Sequence, residues 1–578
     1  MTAMTTASRR NQVMAATTNR IRLQVHLSLA LIAVVAWGAA FLAPESLYWD
    51  DWVVVNSDTL RMTKELGLPW IGYVYVVLFA LGPWTFKVIA VLATIVVGWT
   101  CFAISGRGLG LNFRERWLLA ALVIALPLFS ARAIAVLSTY SWSLALFFCA
   151  WYLLVRKHPD SPGRTRYVAA AVFFFVSYTT GSLLLFTAIP VAHLAYLTIP
   201  SSALKGKGTL RFIARFWYVL AAPVFFWTMR TLFFQPYGLY KDYNKFLFLE
   251  NPSSVTIAAA VCLLFILVLV ILVLLYWLRA DYPKPARLRR ELSLGTLAVT
   301  TGAMGLFLLA TRVSVASTAL AIPATIVMCS IILCAMIVHR AIRGSKTKDQ
   351  TEIESRKSEV MPILAGGLIV LVLGELPYLL VGKLPSSSGW ETRHQLLIPF
   401  GVAVIIVATV RALAAILPLS VIRVVSIGLV ALFVFVSLNI SLSLVADWRK
   451  QMQVTEALAQ EPLVKEASTI VFSDHARELN FDSRKFEFYE YNGWLWTAFG
   501  EQSRLGIDRM ALHGFLTGQI PGRDYPASRY GFGDHTPSTA GVLVEIVPVQ
   551  NASRWTLLMG QTSISLRVTP IEDLASLR

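Results

Sequence analysis

Long runs of apolar residues, separated by short basic stretches, set the pattern of this chain. Ile257–Leu278 reads IAAAVCLLFILVLVILVLLYWL and carries no charge, and Val424–Val445 is a second such run. A helix rises about 1.5 Å per residue, so about 20 apolar residues cross the ~30 Å hydrocarbon core of a bilayer. The runs therefore predict spanning helices. The basic stretches between them are Arg9–Arg22, Arg107–Arg116, Arg156–Arg166, Lys205–Arg215, Arg279–Arg290, His339–Lys357 and the weaker Arg411–Arg423. Lys and Arg gather in cytoplasmic loops, so each neighbouring pair of basic stretches encloses one outward hairpin. With a last outward helix, this predicts about thirteen spans, the N-terminus inside and the tail outside. Tyr167–Leu197 is short for two crossings. A tight hairpin turning near Thr179-Thr180-Gly181, or a re-entrant pair, keeps the same parity.

After Trp448 polar and apolar residues mix. Trp448–Gln460 reads as a helix, and Ser468–Phe472, Gly541–Val549 and Ser563–Val568 read as strands, with turn signals at Pro521-Gly522, Gly531 and Gly533. The expected organisation is a cytoplasmic N-terminus (1–22), a helical transmembrane domain (23–446) and a small extracytoplasmic α+β domain (447–578). Ser345–Glu359 reads as a charged loop.

Composition agrees: 56% of the residues are apolar and 15% charged, too little polar surface for a water-soluble chain of 578 residues. The net charge of +18 belongs to the inter-span loops and predicts no nucleic-acid partner. The basic Met1–Arg22 precedes an apolar span without an A-x-A cleavage signal, which reads as a retained first helix in the cytoplasmic (plasma) membrane. All five cysteines lie in apolar spans, so the tail has no disulfide framework.

Charged residues that break the pattern on the outer side are the candidates for chemistry. Glu45-Ser46-Leu47-Tyr48-Trp49-Asp50-Asp51-Trp52 follows the first span at once and sets two adjacent carboxylates among interfacial aromatics. Such acids repel, and partial burial disfavours ionising both, which suits a general base. The plainer alternative is a helix cap at the water boundary. Two acids can also contact a divalent cation, but two ligands alone do not make a site, so the cofactor stays unknown. Arg132, Arg312, Lys245, Arg230, Lys241, Lys383 and the cluster Trp390-Glu391-Thr392-Arg393-His394 are basic or polar where the positive-inside rule disfavours them. Guanidinium groups fit phosphate oxygens bidentately, and lysine acts as a point charge. Contact with membrane-lipid headgroups is the competing reading for any one of them. His394 can shuttle a proton or sit satisfied at the interface. Asp474-His475 lacks an accompanying nucleophile motif. The aromatic run Phe486–Trp494 suits sugar stacking or, for most of its length, core.

Tyr48-Trp49-Asp50-Asp51-Trp52, directly after the first helix, resembles the first outer loop of the polytopic GT-C glycosyltransferases, which use polyprenyl-phosphate-linked sugars as donors. The odd span count, the outer C-terminal domain and the late outer loop with Arg393 fit the same layout. The W-W-D-Y-G signature of oligosaccharyltransferases is missing, since Trp494-Leu495-Trp496 lacks its Asp and Gly. The resemblance implies a GT-C-like fold and an inverting transfer of one sugar at the outer face to a cell-envelope glycan or lipid acceptor. It implies Asp50 or Asp51 as the base. It implies Arg393, Arg132 or Arg312, with His394 and Lys245, at the donor phosphate. A lipid or glycolipid transporter is the alternative, but its mark would be charges near the midplane, where only Glu375 beside Pro377 lies.

Overall fold

In the computed structural model, the described residues are 2–156, 164–198, 207–241, 350–516 and 540–574, less isolated gaps at 57, 380, 382, 384, 387–388, 415–416 and 501–502. Ile257–Leu278, the basic stretch Arg279–Arg290, Lys245, Arg312, Cys262, Cys329, Cys334 and the turn signals from Pro521 to Gly533 lie outside the described residues.

Helices dominate. Among the described residues five are long and apolar enough to cross a membrane: Arg20–Leu42, Trp84–Ile104, Ala135–Val155, Leu210–Phe233 and Leu419–Gln460. The bent pair Phe113–Ala125 and Pro127–Ala133, turning by 51°, makes a sixth if read as one broken span. The bend falls at Pro127, which cannot continue the hydrogen-bond ladder. Lipid-facing character is plain on the first helix, where Leu23, Leu27 and Leu31 recur one turn apart and are exposed, while Val25, Leu29 and Ala33 are buried.

The stretch expected to be a tight hairpin holds the helices Arg164–Ser177, Leu183–Phe186 and Ala188–Thr198, with a turn at Tyr178–Ser182. None is long enough to cross a ~30 Å core unaided. Pro69–Leu81 is likewise a short apolar helix, and it continues the first inter-span segment after Asp51–Asn56 and Thr59–Glu65. The charged Ser345–Glu359 is not all loop: helix Gln350–Leu379 begins inside it. Gln, Glu, Lys and Arg are good helix formers, so their charge argues for solvent and not against a helix.

The C-terminal domain carries a four-stranded mixed sheet in the order β2-β1-β3-β4, with β1 Thr469–Asp474, β2 Leu505–Asp508, β3 Gly541–Pro548 and β4 Ile564–Ile571. β1 pairs in parallel with both β2 and β3, while β3 and β4 are antiparallel. Helix Phe488–Phe499 forms the crossover between β1 and β2, which parallel pairing requires. β2 was not foreseen, because LGID is short and shows neither alternation nor a long apolar run. Its place beside β1, whose first four residues are buried, makes it a strand.

Helix Leu419–Gln460 runs unbroken for 42 residues, roughly 63 Å, from an apolar span into the C-terminal domain. The division expected at 446/447 thus falls inside one helix. Past its midpoint lies a buried charge cluster. Arg484 donates from Nε and Nη2 to Asp447, both at 2.9 Å, and from Nη1 and Nη2 to Glu490, both at 2.7 Å. Its guanidinium lies 4.1 Å from the centre of the Trp49 ring. Glu490 Oε1 also accepts from the Trp49 backbone N–H at 3.3 Å, and Asp447 accepts from the Phe481 N–H at 2.9 Å. The cluster ties the long helix, the C-terminal domain and the segment carrying Asp50 together. Asp474 accepts two 2.8 Å bonds from buried Lys450, and His475 is exposed beside Glu545 at 3.2 Å.

Replacing Arg484 with Met strands two buried carboxylates. Removing one partner of a buried ion pair costs about 3–5 kcal/mol. Arg484→Met is expected to lower the unfolding temperature of the purified protein by many degrees, read by thermal denaturation. An unchanged transition would show that the cluster does not hold the parts together.

Candidate functional site

The two adjacent aspartates do different work. Trp49 adopts a positive φ of 48°, and this sharp turn starts helix Asp51–Asn56. Asp51, wholly buried, reaches back to accept from the Tyr48 N–H at 3.0 Å, in the manner of a capping box. It also accepts from the backbone N–H groups of Ala135 at 3.1 Å and Val136 at 2.7 Å. Burial pushes its carboxyl above the usual range, and the three backbone donors pull the other way. Both oxygens are taken, so Asp51 pins the first inter-span segment to the turn before helix Ser138–Val155. Among the described residues no group of three or more metal-ligating side chains gathers.

Asp50 instead lines a cavity of about 540 Å³. Three cations line it too: Arg230, Lys383 and Arg393. Hydroxyls of Thr63, Thr139, Tyr140, Thr179, Thr180 and Ser182 and apolar side chains make up much of the remaining wall. The turn of the short Tyr167–Leu197 hairpin thus forms part of the cavity. Tyr489 of the C-terminal domain lies beside Asp50. Burial raises its carboxyl to about 6, against the opposing pull of the Arg393 charge and the Tyr489 hydroxyl. A carboxyl titrating there can accept a proton near neutral pH and release it again.

Arg393 sits in the short helical segment Trp390–Gln395, whose neighbouring side chains fix it. Thr392 Oγ1 accepts from the Ala131 N–H at 2.8 Å, and Gln395 Nε2 donates to Leu128 O at 2.6 Å, so the segment is fastened to the Pro127–Ala133 turn. The guanidinium of Arg393 lies 4.1 Å from the Trp390 ring centre, with Nη2 3.6 Å from Glu391 Oε1. Its Nη1 is buried and has no hydrogen-bond partner among the described residues. A buried, unpartnered guanidinium donor on a residue that lines the cavity is suited to an anionic oxygen.

Two other expected anion contacts, Arg132 and His394, do not line this cavity. Arg132 turns into the helical core: its Nε donates to Phe129 O at 2.8 Å, its Nη1 to Thr94 Oγ1 at 3.1 Å, and it stacks 4.3 Å from the Trp37 ring. It does not line the cavity with Asp50. His394 is buried behind Arg393, with Nδ1 2.8 Å from Glu391 Oε2 and its ring against Tyr378. Burial holds it below the usual histidine value, and the neighbouring Glu391 pulls the other way. Arg230 and Lys383, noted only as outer basic residues, reach the cavity. Tyr489 and Arg484 were missed. Tyr489 lies in a run whose aromatic density reads as core, and Arg484 sits in a soluble segment with no marked pattern.

Asp51→Asn must turn an amide NH₂ toward at least one of three backbone N–H donors. Each stranded donor costs about 1–3 kcal/mol, so this variant is expected to melt several degrees below the parent. Asp50→Asn should behave differently. Folded Asp50 holds its proton to about pH 6, above an unfolded carboxyl near about 4. Its contribution to stability therefore rises as pH falls from about 6 toward about 4. Thermal melts across this range should show the rise in the parent and a smaller one in Asp50→Asn. Identical pH slopes would contradict the burial of that carboxyl.

No family model matches the chain, and no curated protein matches it. Among solved structures, the crystal structure of ArnT from Cupriavidus metallidurans bound to undecaprenyl phosphate aligns over 91% of this chain and 93% of its own, at 13% identity and a TM-score of 0.33. An alignment this loose is a likeness on which nothing below rests.

Proposed function

We propose that this protein is a membrane glycosyltransferase of the GT-C type. It transfers one sugar from a polyprenyl-phosphate donor to a glycan or lipid acceptor of the cell envelope at the outer face, with the N-terminus inside and the C-terminal domain outside. The observation that carries the reading is one cavity lined by a carboxyl of raised pKa, Asp50, together with Arg393, whose buried Nη1 has no partner among the described residues. The reaction divides between them. The acceptor oxygen forms its bond to the anomeric carbon while the bond from that carbon to the phosphate oxygen breaks. The acceptor proton passes to Asp50, and the electron pair leaves with the polyprenyl phosphate. The leaving phosphate gains negative charge, which Arg393 and the Arg230 and Lys383 charges meet in a partly desolvated wall. The hydroxyl-lined part of the cavity suits the sugar, and a site at the ends of spanning helices keeps the polyprenyl tail in lipid.

Support for this division comes from Asp51: its carboxylate is consumed by backbone donors, so Asp50 is the acid left to meet substrate. The transporter reading draws on Glu375, a buried carboxyl on the apolar helix Gln350–Leu379 with both oxygens unpartnered among the described residues. The two readings separate in reconstituted vesicles. Asp50→Asn is expected to abolish transfer of labelled sugar from a polyprenyl-phosphate donor. Arg393→Ala is expected to raise donor KM by roughly ten- to a hundredfold, the worth of a charge-assisted hydrogen bond. Full transfer by Asp50→Asn would sink the assignment of the base. Transbilayer lipid movement without any sugar transfer, lost in Glu375→Gln, would favour the transporter.

A further inference from the structure

A second cavity, of about 830 Å³, shares no lining residue with the one that holds Asp50. It lies among residues 21–28, near the start of helix Arg20–Leu42, whereas Asp50 follows the far end of that helix. Four helices wall it: the starts of Arg20–Leu42, Phe113–Ala125 and Leu419–Gln460 and the end of Ile398–Leu413. Much of the wall is apolar, with Val25, Leu118, Val410, Ile422 and Ile427. Three arginines, Arg114, Arg411 and Arg423, and one acid, Glu115, line it as well.

Most of these polar groups are engaged within the protein. Glu115 accepts from Arg411 Nε at 2.8 Å and from its Nη2 at 2.5 Å, so those two charges cancel. Ser28 Oγ donates to Val25 O at 2.8 Å and accepts from Trp117 Nε1 at 3.0 Å, and Ser426 Oγ donates to Ile422 O at 2.8 Å. Neighbouring cations of the same basic stretch cap helix ends. Arg107 Nη2 donates to Arg156 O at 2.7 Å, and Arg116 donates from Nε and Nη2 to Phe102 O at 3.1 and 3.0 Å. Arg114 and Arg423 differ. Both are exposed, and among the described residues neither side chain has a hydrogen-bond or ion-pair partner. Two uncompensated guanidinium groups thus line a cavity with a largely apolar wall.

We propose that this cavity binds one anionic phospholipid, with its phosphate on Arg114 and Arg423 and an acyl chain along the apolar wall. Charge complementarity selects the occupant. A zwitterionic lipid carries its own cation, which competes with the guanidinium groups for the phosphate, and a free phosphate ion leaves the apolar wall in water. The cavity also lies where the basic stretches Arg107–Arg116 and Arg411–Arg423 meet the spanning helices, the level at which lipid phosphates attract Lys and Arg. Seated there, the lipid bridges the first spanning helix and the long helix Leu419–Gln460. The proposal stands apart from the reaction assigned to the Asp50 cavity.

Native mass spectrometry of the full-length protein in a neutral detergent tests it. One copy of added phosphatidylglycerol is expected to stay bound, whereas phosphatidylcholine with the same chains dissociates. In the double variant Arg114→Gln/Arg423→Gln, affinity for phosphatidylglycerol should fall by roughly thirtyfold, because each cation beside a lipid phosphate is worth about fivefold. Both side chains are exposed and unpaired, so the lipid-free thermal transition should not move. Ala414→Trp fills the apolar part of the cavity, leaves both cations in place, and should also lose the lipid. Equal retention of the two lipids, or phosphatidylglycerol held as tightly by the arginine double variant, overturns the proposal. Retention in Ala414→Trp overturns it too, since the chain would then lie elsewhere. Inorganic phosphate that binds as tightly as the lipid, and is lost with the two arginines, would replace the lipid with a free anion.

Discussion

Two carboxylates and one guanidinium, buried together, hold the described parts of this protein in one arrangement. Arg484 meets Asp447 on the long helix and Glu490 on the helix after β1, and it covers Trp49 in the first inter-span segment. A buried guanidinium would be costly alone, and two buried carboxylates more so. Together they satisfy one another with short, paired hydrogen bonds. The cavity depends on this, because Trp49 is the residue before Asp50 and Glu490 is the residue after Tyr489. Shifting the ion cluster moves both sides of that contact.

The membrane character of the chain was legible in sequence because hydrocarbon imposes a strong rule: a spanning helix is apolar for its whole length. The strands β1, β3 and β4 were legible for a similar reason, since their apolar or alternating positions are covered by the rest of the sheet domain. β2 was not, because four residues carry too little pattern and only the parallel partner β1 makes them a strand. The charged start of Gln350–Leu379 misled because polarity was taken for irregularity, whereas the same residues favour helix in water.

The candidate site was half legible. Adjacent aspartates after the first span marked the right segment, but periodicity could not divide their roles. That division is made by Ala135 and Val136, about 85 residues away in sequence, whose N–H groups consume Asp51. The outer arginines were found by the exception they make to loop charge. Exception alone could not tell Arg393, open to the cavity, from Arg132, folded back onto Trp37. Tyr489 was hidden by its company: in a run of aromatics, a tyrosine that lies beside a carboxylate looks like any other core ring.

The long helix gives the arrangement a mechanical meaning. Leu419–Gln460 passes without a break from its lipid-facing residues to Asp447 and on to Lys450 and Gln451 under the sheet. A continuous helix transmits tilt and rotation along its axis, so its apolar half cannot reorient while its polar half stays still. The thickness and curvature of the surrounding bilayer therefore bear, through Asp447, Arg484 and Gln451, on Trp49 and Trp52, and the lipid acts as a boundary condition on the segment that carries Asp50.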